Sequence, residues 1–300
     1  MQTMDLTLRE ALEAFQTIYM PSRNLAERTR FEYMNDLEDL LGFLEKLGLK
    51  RTSQVDRRHL EAYQAELDRR GYAGSTRRRR TSSIRSLFDF LRRDGYTDNN
   101  IAERLIPPKA EHKEPRVLSE REYKDLLRAC AHQTRDAAII ELLLQTGVRL
   151  SELSRLTLRD IELPARLNRS ADTVGVLHVR QGKGRRDRYV ALNYKACRAL
   201  KAYLKIRPDL EDDRLFISKF REPLGPRAFQ NIVKKYLEEA GIRDASVHTL
   251  RHTFATHHVA KGTSLRTVQE ALGHADLKTT SIYVSLAREV MNKELQEHAL

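Results

Sequence analysis

Apolar residues at Leu8, Leu12, Phe15 and Ile18 follow Thr7 at near-helical spacing, which predicts a first helix with Thr7 as its N-cap. A second pattern runs through Phe31, Leu37, Leu40, Leu41 and Leu44, and Gly48 can close it. Further helical patterns cover about 56–70 and 75–93. Four helices with short connections make a small bundle. The next stretch, IPPKAEHKEPRVLS, has Pro107, Pro108 and Pro115 among charges and no apolar period. Proline removes backbone donors and biases its predecessor away from helix, so 107–116 reads as a linker. Ser119-x-x-Glu122 then opens a helix with a capping box. Helical patterns cover about 119–132, 135–146 and 150–156. Between about 160 and 192 the period shortens: Val174, Val176 and Val179 precede GKGRRDR, and Tyr189, Val190 and Leu192 follow it. That is a hairpin in a small antiparallel sheet. From about 193 the helical period returns. The expected fold is mostly α with a small antiparallel β-sheet. A helical bundle covers 1–106, a linker 107–116, and a mixed α+β domain with a C-terminal tail helix 117–300.

Composition narrows the class. The 300 residues are 40% hydrophobic and 32% charged, too apolar for a disordered chain. No apolar run approaches the ~20 residues of a membrane span, which excludes a transmembrane helix. The N-terminus mixes acids into its apolar positions, unlike a signal peptide. Cys130 and Cys197 lack CxxC partners, which excludes a disulfide scaffold and a Cys-rich zinc site and leads us to expect a reduced, cytoplasmic setting. The net charge is +12, and both halves share it: +3 over residues 1–110 and +9 over 111–300. A basic chain implies an anionic partner, of which nucleic acid is the commonest large one. GKG does not make a nucleotide-binding loop, which needs GxxxxGK[ST].

Residues 69–93 hold nine arginines and one acid, Asp89. Arg77, Arg78, Arg79 and Arg80 are consecutive and splay around a helix, while Arg85, Arg92 and Arg93 extend the charge along it. Such a helix can lie on a phosphate backbone while Leu87, Phe88 and Leu91 hold the bundle. The competing reading is an ordinary solvated face. With neither a Cys/His finger nor an aromatic-rich ribonucleoprotein signature, duplex DNA is favoured over single-stranded RNA.

The second half isolates polar residues in telling surroundings: Arg149 in TGVRLSEL, Lys183 at the hairpin tip, His248 and Arg251 in SVHTLRHTFATHH, and His274 and Tyr283 in LGHADLKTTSIYVS. Attack on a phosphodiester builds negative charge on nonbridging oxygens, which cations must hold. Arginine offers a planar fork matched to two oxygens, and Arg149 and Arg251 can form such a clamp. Tyrosine is a competent oxygen nucleophile once deprotonated. The departing sugar oxygen needs a general acid, which Lys183 on a reaching hairpin could supply. His248 and Arg251 are three apart and share a helix face. His274 would donate to a phosphate oxygen, and His248 could shuttle a proton for Tyr283. Singly, each has a plainer reading: surface arginine, packing tyrosine, hairpin lysine. His248 and His252 could also grip zinc, but no Cys or carboxylate lies nearby in sequence.

In their order along the chain, these boxes resemble the tyrosine recombinase (phage integrase) family in its two-domain, Xer-like form. The resemblance is strong over about 117–290 and looser over 1–106, where only a DNA-binding role carries over. It implies Arg149, Lys183, His248, Arg251 and His274 as catalytic residues and Tyr283 as nucleophile, with Arg185 and Arg186 beside the hairpin lysine as DNA contacts. It implies a 3′-phosphotyrosine intermediate, a free 5′-hydroxyl and a Holliday junction held by a tetramer on double-stranded recombination sites, with neither ATP nor metal nor other cofactor. The tetramer could be of this chain alone or include a related recombinase, with an accessory protein possible and no membrane partner. Apolar Val284, Ala287, Val290, Met291 and Leu295 suggest a tail helix that docks on a neighbouring subunit or on its own domain. Alternatives are a non-catalytic DNA-binding protein and a type IB topoisomerase-like enzyme. A two-metal nuclease would want clustered acids that these boxes lack.

Overall fold

The computed structural model describes residues 5–109, 115–168, 175–180 and 187–273. The chain divides into two compact units, Met1–Lys113 and Glu114–Leu300. The first is helical. Helix α1 (Leu8–Ala14) starts at a capping box in which Thr7 and Glu10 satisfy each other's backbone N–H groups. It runs on through a π turn, Phe15–Tyr19, into the short α2 (Met20–Ser22). Helices α3 (Glu27–Lys46), α4 (Arg57–Arg69) and α5 (Gly74–Arg93) follow. Phe15, Leu37, Leu40, Leu44, Leu60, Tyr63, Leu67, Ile84, Phe90 and Leu91 make its core.

Two apolar residues of the helical patterns lie outside that core. Ile18 is 47% exposed, while Met20 is fully buried. A π turn inserts a residue into the helical repeat and shifts the face that follows it. Phe31 is 64% exposed. Six residues separate it from Leu37, which turns a helix by about 240° beyond a full circle, so Tyr33 and Met34 pack inward instead.

In the second unit Ser119 and Glu122 form the capping box of α6 (Glu120–Cys130). Helix α7 (Thr134–Thr146) is buried nearly all round, as a central helix must be. The short α8 (Leu150–Leu153) ends before the expected 156. Strands β1 (Ile161–Glu162), β2 (Gly175–Val179) and β3 (Arg188–Leu192) form one antiparallel sheet in that order, with Val179 opposite Arg188. Helices α9 (Tyr194–Leu204), α10 (Pro226–Glu239), α11 (Val247–Ala260) and α12 (Leu265–Leu272) complete it. The helical period does not hold throughout this half: 206–225 is irregular, with Pro208 and Pro223 interrupting it. Arg207 supports that stretch by donating to the carbonyls of Pro208, Asp212, Arg214 and Leu215.

Candidate active site

Three of the six sequence-predicted catalytic residues, Arg149, His248 and Arg251, lie in the described residues. Lys183, His274 and Tyr283, with Arg185, Arg186 and the tail, lie outside them.

The site is built where three helix ends meet. Helix α7 stops at Gly147, whose φ of 61° is left-handed. A Cβ there would sit 2.8 Å from both Leu272 Cδ2 and Phe254 Cδ1. Only glycine allows both the turn and the close approach of α11 and α12. Two residues on, Arg149 is the N-cap residue of α8, in extended conformation. Glu152, at the third helical position, reaches back to accept from the Arg149 backbone N–H at 2.8 Å. The other carboxylate oxygen takes the Arg149 Nη1 at 2.8 Å.

Helix α11 contributes the next pair. Arg251 is 8% exposed. His248, one turn earlier, is exposed. Arg251 Nη1 donates to the Gly147 carbonyl, and Nη2 to the Leu272 carbonyl at 2.7 Å. His252 on the same helix is half-buried. Burial first, then the charges of His248 and Arg251, lowers its pKa and favours the neutral ring.

Helix α12 ends in left-handed Gly273. Its last carbonyls have no intrahelical partner and carry the negative end of the helix dipole. Arginines take three of them in succession: Arg188 Nε on Ala271 at 2.7 Å, Arg251 Nη2 on Leu272 at 2.7 Å, and Arg149 Nη2 on Gly273 at 3.0 Å. His274 is the next residue. Arg149 and Arg251, which are 102 positions apart in sequence, are thereby fixed to neighbouring carbonyls of one helix end. The Arg149 side chain stays 29% exposed, so it can meet a solvent-borne anion.

The sequence reading missed Glu152 and Arg188. Arg188 donates to both Glu152 oxygens, at 3.1 and 2.8 Å. Burial alone would raise the Glu152 carboxyl, but hydrogen bonds from Arg188 and from the Arg149 backbone outweigh it and hold the pKa at about 2. The signal available was the three-residue spacing of Arg149 and Glu152. Nothing local marked Arg188 among the hairpin's other basic residues.

The arginines of α5 are more deeply engaged than a splayed helix suggests. Arg80 is turned inward, 9% exposed: it donates to Asp39 and to the Tyr63 hydroxyl, and its guanidinium lies 4.4 Å over the Tyr72 ring. Arg79 pairs with Glu32 and Asp36, and Arg77 with Asp68. Arg85 donates to the Leu105 carbonyl. Arg78 is exposed. Counting acids along 69–93 overlooked those that α3 and α4 bring to the same face.

The profile of the Phage integrase family matches residues 116–289, and that of the Phage integrase, N-terminal SAM-like domain matches 12–95. The chain is 34% identical over 285 residues to the tyrosine recombinase XerC of Pseudomonas fluorescens, covering 93% of this chain and 92% of that protein. It is 36% identical to that of Natranaerobius thermophilus, covering 95% and 98%. Among solved structures it resembles the XerA recombinase at 29% identity and a TM-score of 0.53, covering 98% of this chain and 99% of that one. It shares the fold of the XerH site-specific recombinase bound to a palindromic difH substrate, with 21% identity and a TM-score of 0.76 over 94% of this chain and 83% of that one.

Proposed function

We propose a mechanism on one premise: the chain belongs to the phage integrase family and is a site-specific tyrosine recombinase acting on DNA. Tyr283, deprotonated, attacks the scissile phosphorus. The new P–O bond to tyrosine forms as the bond to the 5′-oxygen breaks, and that oxygen takes a proton from Lys183. The strand is left as a 3′-phosphotyrosine. The 5′-hydroxyl of the partner strand reverses the step, so the bond energy is retained and the scheme uses neither ATP nor metal. Arg149 and Arg251 hold the nonbridging oxygens, His274 donates to one of them, and His248 moves the Tyr283 proton. Two such rounds pass through a Holliday junction in a tetramer on double-stranded recombination sites, in the cytoplasm. The tetramer is formed by this chain alone or with a related recombinase, with room for an accessory protein. Arg77, Arg78, Arg79, Arg85, Arg185 and Arg186 contact the DNA backbone, while Arg80 acts from inside by holding α5 in place.

The observation that carries this reading is the pair of guanidinium groups fixed to the Leu272 and Gly273 carbonyls, directly before His274 and ten residues before Tyr283. The test is a DNA nicked beside its target site, so that the cut fragment diffuses away. The protein accumulates as a covalent complex without added metal, and Tyr283→Phe binds the DNA but never attaches. Binding without attachment by the unaltered protein contradicts the mechanism and favours a non-catalytic binder. Relaxation of supercoils without site preference favours a topoisomerase-like role.

A further inference from the structure

We propose that Arg188 is a positioning residue for strand cleavage: it ties the base of the β2–β3 hairpin to Glu152 and to the last turn of α12, and so fixes the orientation of Arg149. The inference rests on the mechanism above but concerns a residue to which that mechanism assigns no task.

The geometry is specific. Arg188 opens β3 and pairs across the sheet with Val179, so it sits where the two strands leave for the segment containing Lys183. Its side chain is 8% exposed and turned inward, away from solvent. All three guanidinium nitrogens are engaged. Nε donates to the Ala271 carbonyl at 2.7 Å, and Nη1 and Nη2 donate to Glu152 at 3.1 and 2.8 Å. The planar fork matches a carboxylate on one edge and leaves Nε for the helix end, a combination lysine cannot reproduce.

Both Glu152 oxygens are shared by the two arginines. Oε2 accepts from Arg188 Nη2 and the Arg149 backbone N–H, and Oε1 accepts from Arg188 Nη1 and from Arg149 Nη1, the last at 2.8 Å. Arg149 Nη2 in turn holds the Gly273 carbonyl, two residues beyond the carbonyl that Arg188 holds. The closed circuit runs Arg188, Glu152, Arg149, Gly273, Ala271 and back to Arg188. It sets the rotamer of Arg149 from two sides and fixes where the chain leaves α12 toward His274. Without Arg188, Glu152 keeps its bonds to Arg149, and the α12 end loses one of its three arginine anchors among the described residues. Arg188→Lys keeps the positive charge and loses the planar fork, so the effect of that variant falls on orientation. Misplacing a reacting group by about 1 Å can cost on the order of 100-fold in rate.

The experiment measures single-turnover covalent attachment to the nicked site, with protein in excess over a range of concentrations, so that the rate at saturation separates from DNA affinity. Arg188→Met and Arg188→Lys are compared with the unaltered chain, alone and combined with Glu152→Gln. Positioning predicts a saturating rate at least about tenfold lower for Arg188→Lys, and lower still for Arg188→Met, with DNA affinity within about twofold. It also predicts that the Arg188→Lys, Glu152→Gln double variant is little slower than the slower single variant, because both act through one circuit. If Arg188→Met does not fold, Arg188→Lys carries the same test. A saturating rate within twofold of the unaltered chain overturns the proposal, as do multiplicative effects in the double variant or a loss seen only in affinity. Absence of attachment by the unaltered protein would instead overturn the mechanism, so the two failures are distinct.

Discussion

Glu152 is a buried carboxylate joined to both Arg149 and Arg188, and its replacement by glutamine has a calculable cost. Glutamine keeps the shape and one acceptor oxygen but removes the charge facing two guanidinium groups. The carboxyl pKa falls from its ordinary 4.5 to about 2 in the folded protein. At 1.36 kcal/mol for each pKa unit, that difference corresponds to about 3 kcal/mol of stability at neutral pH. An independent route agrees: breaking a buried ion pair by altering one partner costs about 3–5 kcal/mol. The sign of the pH dependence follows from the lowered folded value. The contribution is complete above the unfolded pKa and is lost as pH falls through the folded one. The gap between the unaltered protein and Glu152→Gln is therefore full at pH 7, begins to close below about 4.5 and has shrunk by about 1.4 kcal/mol at pH 3.5. Denaturant unfolding of the full chain checks this, with the transition of the second unit followed separately because two units need not unfold together. A gap below 1 kcal/mol at pH 7, or one that widens on acidification, would refute the reasoning.

Other substitutions probe the same frame. Arg251→Ala lowers the cleavage rate by about 100-fold or more, measured as single-turnover attachment, since each donor to the developing charge contributes about 3–4 kcal/mol. Lys183→Ala is strongly slowed on ordinary DNA but recovers on a substrate with a 5′-thiol leaving group, which departs without a proton; failure to recover places the acid elsewhere. Gly147→Ala destabilises the second unit by more than about 1 kcal/mol in the same unfolding assay, because its φ of 61° and the 2.8 Å approach of Leu272 and Phe254 both oppose a Cβ.

Local signals carried much of the fold. Thr7 as an N-cap and Ser119 with Glu122 as a capping box hold in sequence and in structure, because such motifs concern residues a few positions apart and need no tertiary context. The shortened period around Val176, Val179, Val190 and Leu192 marked the sheet for the same reason. What escaped depends on partners distant in the chain. Arg80 points inward because Asp39 and Tyr63, 41 and 17 residues away, converge on it. Arg188 looks like one more basic residue of the hairpin until Glu152 and Ala271 are brought to it by folding. Ile18 followed the spacing but not the burial, since a π turn rephases the helix and nothing in FQTIY announces one. Arg149, His248 and Arg251 stood out by their neighbours in sequence. That Arg149 and Arg251 share one helix end is a fact of packing, made possible by Gly147.

The most direct measurement is to trap the covalent complex on nicked DNA, digest protein and DNA, and locate the nucleotide by mass spectrometry. The mechanism predicts a nucleotide joined through its 3′-phosphate to the peptide containing Tyr283. Attachment through a 5′-phosphate, or to any other side chain, would contradict it.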